Sequence, residues 1–440
     1  MLFKQFVYIF VANYKHILAK TLNFIDLFAG AGGLSEGFVR AGFNPIAHVE
    51  IDKAACYSLK TRAAYHYLKD NGKFDTYIKY LKGEIDRSTL YHHMDIPKEI
   101  LESVIHLGIG EENNPVIFDR IERNLPQDKE VDLIIGGPPC QAYSLVGRAR
   151  SEHGMRKDPR NFLYVQYANY LERYKPKMFV FENVLGLKSA GKGAYLANME
   201  RLFNKKGYSI KIFTVKAENF GVLQQRRRLI IIGWRQDFVP SLPDLDNYQS
   251  GIHGLVSDIF ADLPFLNAGE GVDKYVGYDS NDYQYLKDSH IRNGIDVLTQ
   301  HIARPHNEQD KEIYRIAVQK WLKDRERLNY NDLADHLKTH NNRTSFTDRF
   351  KVVADDLTAA QTIVAHIAKD GHYYIHPDIE QNRSISVREA ARLQSFPDDF
   401  YFEGVKEGAN RTAAFKQIGN AVPPLMGELI AKALLPYLEG

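Results

Sequence analysis

Cysteine is almost missing from this chain: Cys56 and Cys140 are the only two in 440 residues. That excludes a disulfide framework and a multi-cysteine zinc site, and it suits a reducing cytoplasm in which a low-pKa thiolate survives. An excess of charge is missing too. Fifty-seven Lys and Arg stand against 55 Asp and Glu, a net +2, so binding to a polyanion must rest on local patches. Long apolar runs are also lacking. The run near the start, Leu2 to Ala12, falls far short of a membrane span and is followed by Asn13, Lys15 and His16. Residues 1–21 are therefore expected to form an extra helix or a loosely attached leader, with no secretory or membrane role. No internal repeat and no low-complexity tract is present.

Strand-length apolar runs do recur: Phe24–Phe28, Pro45–Glu50, Val131–Ile135, Met178–Phe181, Ile210–Val215 and Leu229–Ile232. Their hydrophobicity is continuous rather than alternating, which marks strands covered on both faces by helices. The expected fold class is α/β: a doubly wound, mostly parallel, Rossmann-like sheet. Residues 60–115 read as a charged helical insertion between strands. After Trp234 the chain turns polar, rich in Asp, Asn and Tyr, with few clean strands. Ser386 then caps a helix whose capping box Glu389 completes, and Pro424–Leu438 forms a last apolar helix. The expected division is a leader (1–21), a cofactor-binding domain (22–234), a second, smaller irregular lobe (235–384) and a return segment completing the first domain (385–440).

The first strand runs into Phe28-Ala29-Gly30-Ala31-Gly32-Gly33-Leu34-Ser35. A glycine-rich turn between strand and helix lets a nucleotide-like ligand lie against the backbone. Ser35 stands where a dinucleotide fingerprint needs its third glycine, and no phosphate-binding lysine follows. Glu50 ends the second strand about twenty residues later, the place for a carboxylate on ribose hydroxyls. A ribose-binding acid without a pyrophosphate loop favours a nucleoside cofactor lacking phosphates, and S-adenosylmethionine fits. A third acid is expected at the adenine. Asp119, after Val116-Ile117-Phe118, is preferred over Asp95 in His92-His93-Met94-Asp95-Ile96 for its short gap to Cys140.

Gly136-Gly137-Pro138-Pro139-Cys140-Gln141 puts a thiol at the mouth of an apolar strand. Two glycines allow close backbone approach and two prolines stiffen the turn, a presentation suited to nucleophilic attack. Met178–Phe181 leads into Glu182. If the two strands are neighbours, about 4.8 Å apart, thiolate and carboxyl flank one planar ring; a helix N-cap acid is the bland alternative for Glu182. In Gln224-Gln225-Arg226-Arg227-Arg228, strand alternation turns Gln224, Arg226 and Arg228 to one face and Arg227 to the other. Such arginines need anionic or carbonyl partners if buried. Between Ser144 and Arg160, Arg148, Arg150, Arg156, Lys157 and Arg160 outnumber Glu152 and Asp158, with Gly147 and Gly154 as hinges. A basic loop after a nucleophile suggests a lid over a phosphate backbone. His366, His372 and His376 have no cysteine partners and read as ordinary polar residues; no metal site is expected.

Six motifs, in order from residue 24 to 424, resemble the DNA (cytosine-5) methyltransferase family of the prokaryotic modification-methylase type. They are Phe24-Ile25-Asp26-Leu27-Phe28-Ala29-Gly30, Gly137-Pro138-Pro139-Cys140-Gln141, Glu182-Asn183-Val184, Gln224-x-Arg226-x-Arg228, Arg388–Pro397 and Gly419-Asn420-Ala421-Val422-Pro423-Pro424. Leu223 departs from the family's usual proline. The resemblance implies methyl transfer from S-adenosylmethionine to C5 of a flipped-out cytosine in a specific double-stranded DNA sequence. Cys140 would add to C6 and Glu182 would act at N3. Arg226 would stabilise charge beside the base, with Gln224 and Arg228 ordering the pocket. Cofactor contacts would come from Phe28, Gly30, Gly32, Glu50, Asp119, Leu163 and Asn420, which requires the C-terminal segment to fold back beside the first strand. Residues 235–384 would be the target-recognition domain. The resemblance further implies a cytoplasmic monomer in a restriction–modification system, with a cognate restriction endonuclease acting on the same site.

A tRNA cytosine-5 methyltransferase shares this chemistry and is the runner-up; the lobe of about 150 residues after Trp234 favours a duplex reader. A nicotinamide oxidoreductase would lack its phosphate fingerprint and leave Cys140 unexplained. A catalytically dead relative would not keep Cys140, Glu182 and Arg226 together.

Overall fold

The structure, a computed structural model, describes residues 21–139, 162–238, 240–279, 283–345 and 347–439. Alternating strands and helices open the chain: β1 (Asn23–Leu27), α1 (Gly33–Arg40), β2 (Asn44–Glu50), α2 (Lys53–Asp70), β3 (Val104–His106), α3 (Asn114–Asn124) and β4 (Leu133–Gly136). They continue through α4 (Leu163–Tyr174), β5 (Met178–Asn183), α5 (Ala194–Lys205), β6 (Tyr208–Lys216), β7 (Gln224–Gln225) and β8 (Arg227–Arg235). Seven strands form one sheet in the order β3-β2-β1-β4-β5-β8-β6. The first five are parallel, and β8 runs antiparallel to both β5 and β6. The expected doubly wound α/β fold is present.

Apolar layers cover both faces of the sheet. On one, Ile25, Leu27, Ile134 and Phe179 pack with Tyr167 and Leu171 of α4 and Phe203 of α5. On the other, Phe24, Leu133, Ile135 and Val180 pack with Phe38 of α1 and with Met426, Ile430 and Leu434. Those last three belong to a helix at the far end of the chain. Its approach depends on two glycines of α1: a Cβ at Gly33 would lie 2.2 Å from the Val422 carbonyl oxygen, and one at Gly37 2.3 Å from the Glu428 nitrogen.

The stretch expected as a helical insertion contains a strand as well. Helix α2 is followed by Phe74–Lys82, Arg87–Tyr91 and Lys98–Glu102, and then β3 adds the sheet's edge. Three residues are too few for a periodic signal, which is why β3 escapes a reading by hydrophobic runs. The helices bury Tyr65, Tyr77 and Tyr80 against Tyr401 and Val297 of later segments.

Beyond β8 regular structure thins out. Helix α6 (Glu308–Asp324) packs Ile313 and Tyr314 against Tyr330, Phe350 and Ile375 in a core of its own. Two-residue strands Gly271–Val272 and His301–Ile302 pair with each other, and Ala360–Gln361 pairs with β7. The chain returns through α7 (Val387–Leu393), α8 (Arg411–Asn420) and α9 (Pro424–Glu439). The capping box forms as expected: Glu389 N–H donates to Ser386 Oγ (3.2 Å) and Ser386 N–H to Glu389 Oε2 (2.6 Å).

Two wholly buried arginines of α7 lock the return segment in place. Arg388 donates to the carbonyls of Thr299, Pro397 and Phe400. Arg392 pairs with Asp398 and Asp262, both at 2.6 Å, and donates to the Ile259 carbonyl. Arg392→Ala is expected to take the bidentate cation from buried Asp398, leave Asp262 to Arg292 alone, and cost about 3–5 kcal/mol of stability. Urea unfolding followed by circular dichroism checks this, and a loss under about 1 kcal/mol would show the pairs to be idle. Among the described residues no helix is long and apolar enough to cross a membrane.

Candidate active site

The carboxyl ends of β1, β2, β4 and β5 share one edge of the sheet, where a parallel α/β fold places ligands. After β1 the chain turns sharply, with Phe28 (φ 59°), Gly30 (φ 56°) and Gly32 (φ 82°) all left-handed. A Cβ at Gly30 would meet nothing within 4 Å, so the backbone here faces open space. Gly32 looks inward instead: it is buried, and a Cβ there would come 2.7 Å from Leu59 of α2. Its place in the turn is one of geometry and close packing.

Glu50 closes the turn from β2. Its Oε2 accepts from the Gly30 N–H at 2.7 Å, and its Oε1 from the N–H groups of Ile51 (2.9 Å) and Asp52 (2.7 Å). Burial pushes its pKa up, against the pull of these three backbone donors. Beneath it, Asp26 on β1 is fully buried, and burial followed by the nearby Glu50 charge holds its carboxyl well above the usual range. A half-buried carboxylate fixed by backbone beside an open glycine turn suits a ribose diol without phosphates. These residues fit the adenosyl cofactor expected from the sequence.

The remaining expected contacts divide. Leu163 opens α4 and is half-buried at the carboxyl edge. Asn420 is the exposed last residue of α8, and the segment immediately after it, Ala421-Val422, packs on Gly33 of the turn. Asp119 does not join them. Val116–Phe118 are part of α3, and Asp119 on that helix is exposed and paired with Arg123, four residues on. Asp95 is no substitute, since its partners are Lys73 and His93 within the insertion. Helical i, i+4 pairing on an outward face explains Asp119 physically.

At the chemical end β4 and β5 are direct neighbours, with Gly136 opposite Phe181. Gly136 has φ +135°, and a Cβ there would lie 1.9 Å from the Leu27 carbonyl oxygen, so only glycine is accommodated. One residue on, a Cβ at Gly137 would be 2.2 Å from the Glu182 carbonyl oxygen and 3.0 Å from Glu182 Oε2. Asn183 Nδ2 donates to the Pro138 carbonyl at 3.2 Å. Gly137-Pro138 is thus laid along Glu182-Asn183. Cys140, two residues after Pro138, lies outside the described residues, as does the basic loop to Arg160.

Glu182 Oε1 pairs with Arg228 Nε at 2.7 Å, and both side chains are less than one-fifth exposed. Arg228, expected to help order the pocket, is the arginine that meets Glu182. Arg226 does not face Glu182; it is buried and donates to the carbonyls of Ile363 (2.9 Å), Ala421 (2.8 Å) and Gly419 (3.4 Å). The reason is local: Arg226 falls between β7 and β8, where the alternation of side chains is interrupted. Gln224 is buried as well, donating to the Leu393 carbonyl and Gln394 Oε1 and accepting from the Ile363 N–H. Carbonyls thus receive the terminal nitrogens of Arg226 and a carboxylate receives Arg228, while Arg227 stays exposed. Sequence reasoning missed Ile363, Gly419 and Ala421 because they meet Arg226 through backbone oxygens, which carry no residue signature.

Residues 22–87 and 111–435 match the family described as C-5 cytosine-specific DNA methylase. Type II methyltransferase M.Bpa9945I of Bacillus paralicheniformis is 40% identical over 447 residues, spanning 94% of this chain and 99% of its own. Type II methyltransferase M1.HphI of Haemophilus parahaemolyticus is 29% identical, spanning 97% and 90%. The crystal structure of a candidate DNA modification methyltransferase encoded within an E. coli prophage shares the fold, with a TM-score of 0.61 at 23% identity over 96% of this chain and 100% of that one.

Proposed function

The chain belongs to the C-5 cytosine-specific DNA methylases, and from that premise we propose that it modifies an extruded cytosine through a covalent Cys140 adduct. It is a DNA (cytosine-5)-methyltransferase, and its family implies S-adenosylmethionine as methyl donor. Its type II relatives support a place in restriction–modification.

Cytosine C5 is a poor nucleophile until a group adds at C6. The Cys140 thiolate forms a bond to C6 while the acid form of Glu182 donates its proton to N3, and the electron pair released from the ring's C5–C6 double bond makes C5 nucleophilic. Arg228 holds the Glu182 carboxyl in place and offsets charge near the base. Gly30 and Glu50 would hold S-adenosylmethionine, which would supply the methyl group to C5 and be released as S-adenosylhomocysteine. A base then takes the C5 proton, the double bond re-forms, and the Cys140 sulfur leaves. Stacking in a duplex covers both faces of cytosine, so the base is extruded to reach the sulfur.

Residues 235–384 read the target sequence. The protein acts as a cytoplasmic monomer on double-stranded DNA, alongside an endonuclease cutting the same site. Gln224 and Arg226 act by position: Arg226 ties the Ile363 segment to Gly419 and Ala421, and Gln224 ties it to Leu393 and Gln394.

The observation that carries this reading is Gly137 packed on Glu182 at the same sheet edge as Gly30 and Glu50. Labelled methyl groups are expected to enter duplex DNA and not total tRNA; preferential labelling of tRNA would transfer the reading to the runner-up. Gly30→Val adds a branched side chain to the open face at a positive φ. It is expected to weaken S-adenosylhomocysteine binding at least about tenfold by titration calorimetry, with unaltered affinity refuting the cradle.

A further inference from the structure

Both acids expected at the adenine stand elsewhere, and the geometry points to an acid-free base site. We propose that the cofactor's adenine lies between the Ile51 side chain and the Gly108-Ile109-Gly110 corner after β3, with no carboxylate on its amino group. This rests on the cofactor reading above.

The sheet order β3-β2-β1-β4 sets the three carboxyl ends in a row. With the ribose on Glu50 and the reacting end toward β4, the base must point outward, toward β3. Glu50 is in register with His106, so the corner begins two residues beyond the level of the ribose acid. Ile51 is 69% exposed, unusual for a large apolar side chain beside a cleft. A Cβ at Gly108 would come 2.9 Å from Ile51 Cδ1, so glycine lets the corner close on this wall. In front of Gly110 there is nothing within 4 Å.

The corner is rigid. Asn113 Nδ2 donates to the Gly108 carbonyl at 2.8 Å, and the Gly110 N–H donates to Asn114 Oδ1 at 3.2 Å. Asn114 is itself buried and held by Gln166 and Tyr170. That leaves the Ile109 peptide with no hydrogen-bond partner among the described residues. A neutral peptide edge and an apolar wall face the base. The next acids, Glu111 and Glu112, are exposed beyond the corner.

The test compares S-adenosylhomocysteine with its 6-deamino analogue, purine in place of adenine, by titration calorimetry on the whole protein. Losing a hydrogen bond to a neutral group weakens binding by up to about tenfold, and losing one to a carboxylate by more. A loss below about tenfold, with Glu111→Gln binding the parent compound as the wild type does, supports the acid-free site. A larger loss, or a weakened Glu111→Gln, overturns it while leaving the cofactor reading intact. Failure of the parent compound to bind overturns both.

Discussion

Cys140→Ser is expected to slow methyl transfer at least about a thousandfold, with S-adenosylhomocysteine binding within about twofold of wild type. The step at stake is addition to an aromatic carbon, which needs an anionic, polarisable nucleophile; a serine hydroxyl is neither at neutral pH. The other cysteine offers no rescue. Cys56 is buried on α2, its Sγ donates to the Glu50 carbonyl, and burial followed by the Glu50 charge pushes its thiol up to about 12. Transfer of tritiated methyl groups to duplex DNA at saturating substrates measures the effect. Activity within about tenfold of wild type would remove the covalent adduct from the mechanism.

Glu182→Gln is the second large effect, expected to lower kcat by about 100- to 1,000-fold with little change in KM for DNA. The amide keeps the shape of the carboxyl and still packs beside Gly137. It cannot pass a proton to a ring nitrogen, and it changes the group that meets Arg228. A purely structural role would instead appear as lower stability or weaker DNA binding at unchanged kcat. Steady-state kinetics alongside thermal unfolding separate the two, and a KM effect alone would take Glu182 out of the chemistry.

Much of this site is legible before any coordinates. Gly30 and Glu50 are recognisable because a strand, a glycine turn and an acid ending the next strand form a local pattern, and their contact is made by backbone N–H groups. Gly137 and Glu182 end two neighbouring apolar strands, so parallel pairing alone brings them side by side. Asp119 shows where the method fails. A short apolar run followed by an acid has no periodicity to separate strand from helix, and α3 carries that acid outward to Arg123. The three-residue β3 fails for the same reason.

The linear order of residues was enough to establish the α/β architecture and to mark the glycine turn that Glu50 closes, because each depends on hydrophobic period and turn chemistry within a few positions. Only folding in three dimensions chose between Arg226 and Arg228. Alternation assigns both to one face, but the break between β7 and β8 sends one guanidinium to the carbonyls of Ile363, Gly419 and Ala421 and leaves the other on Glu182. Those carbonyl partners lie well over a hundred positions away in the chain. Main-chain oxygens are alike at every residue, so no pattern of side chains can announce them.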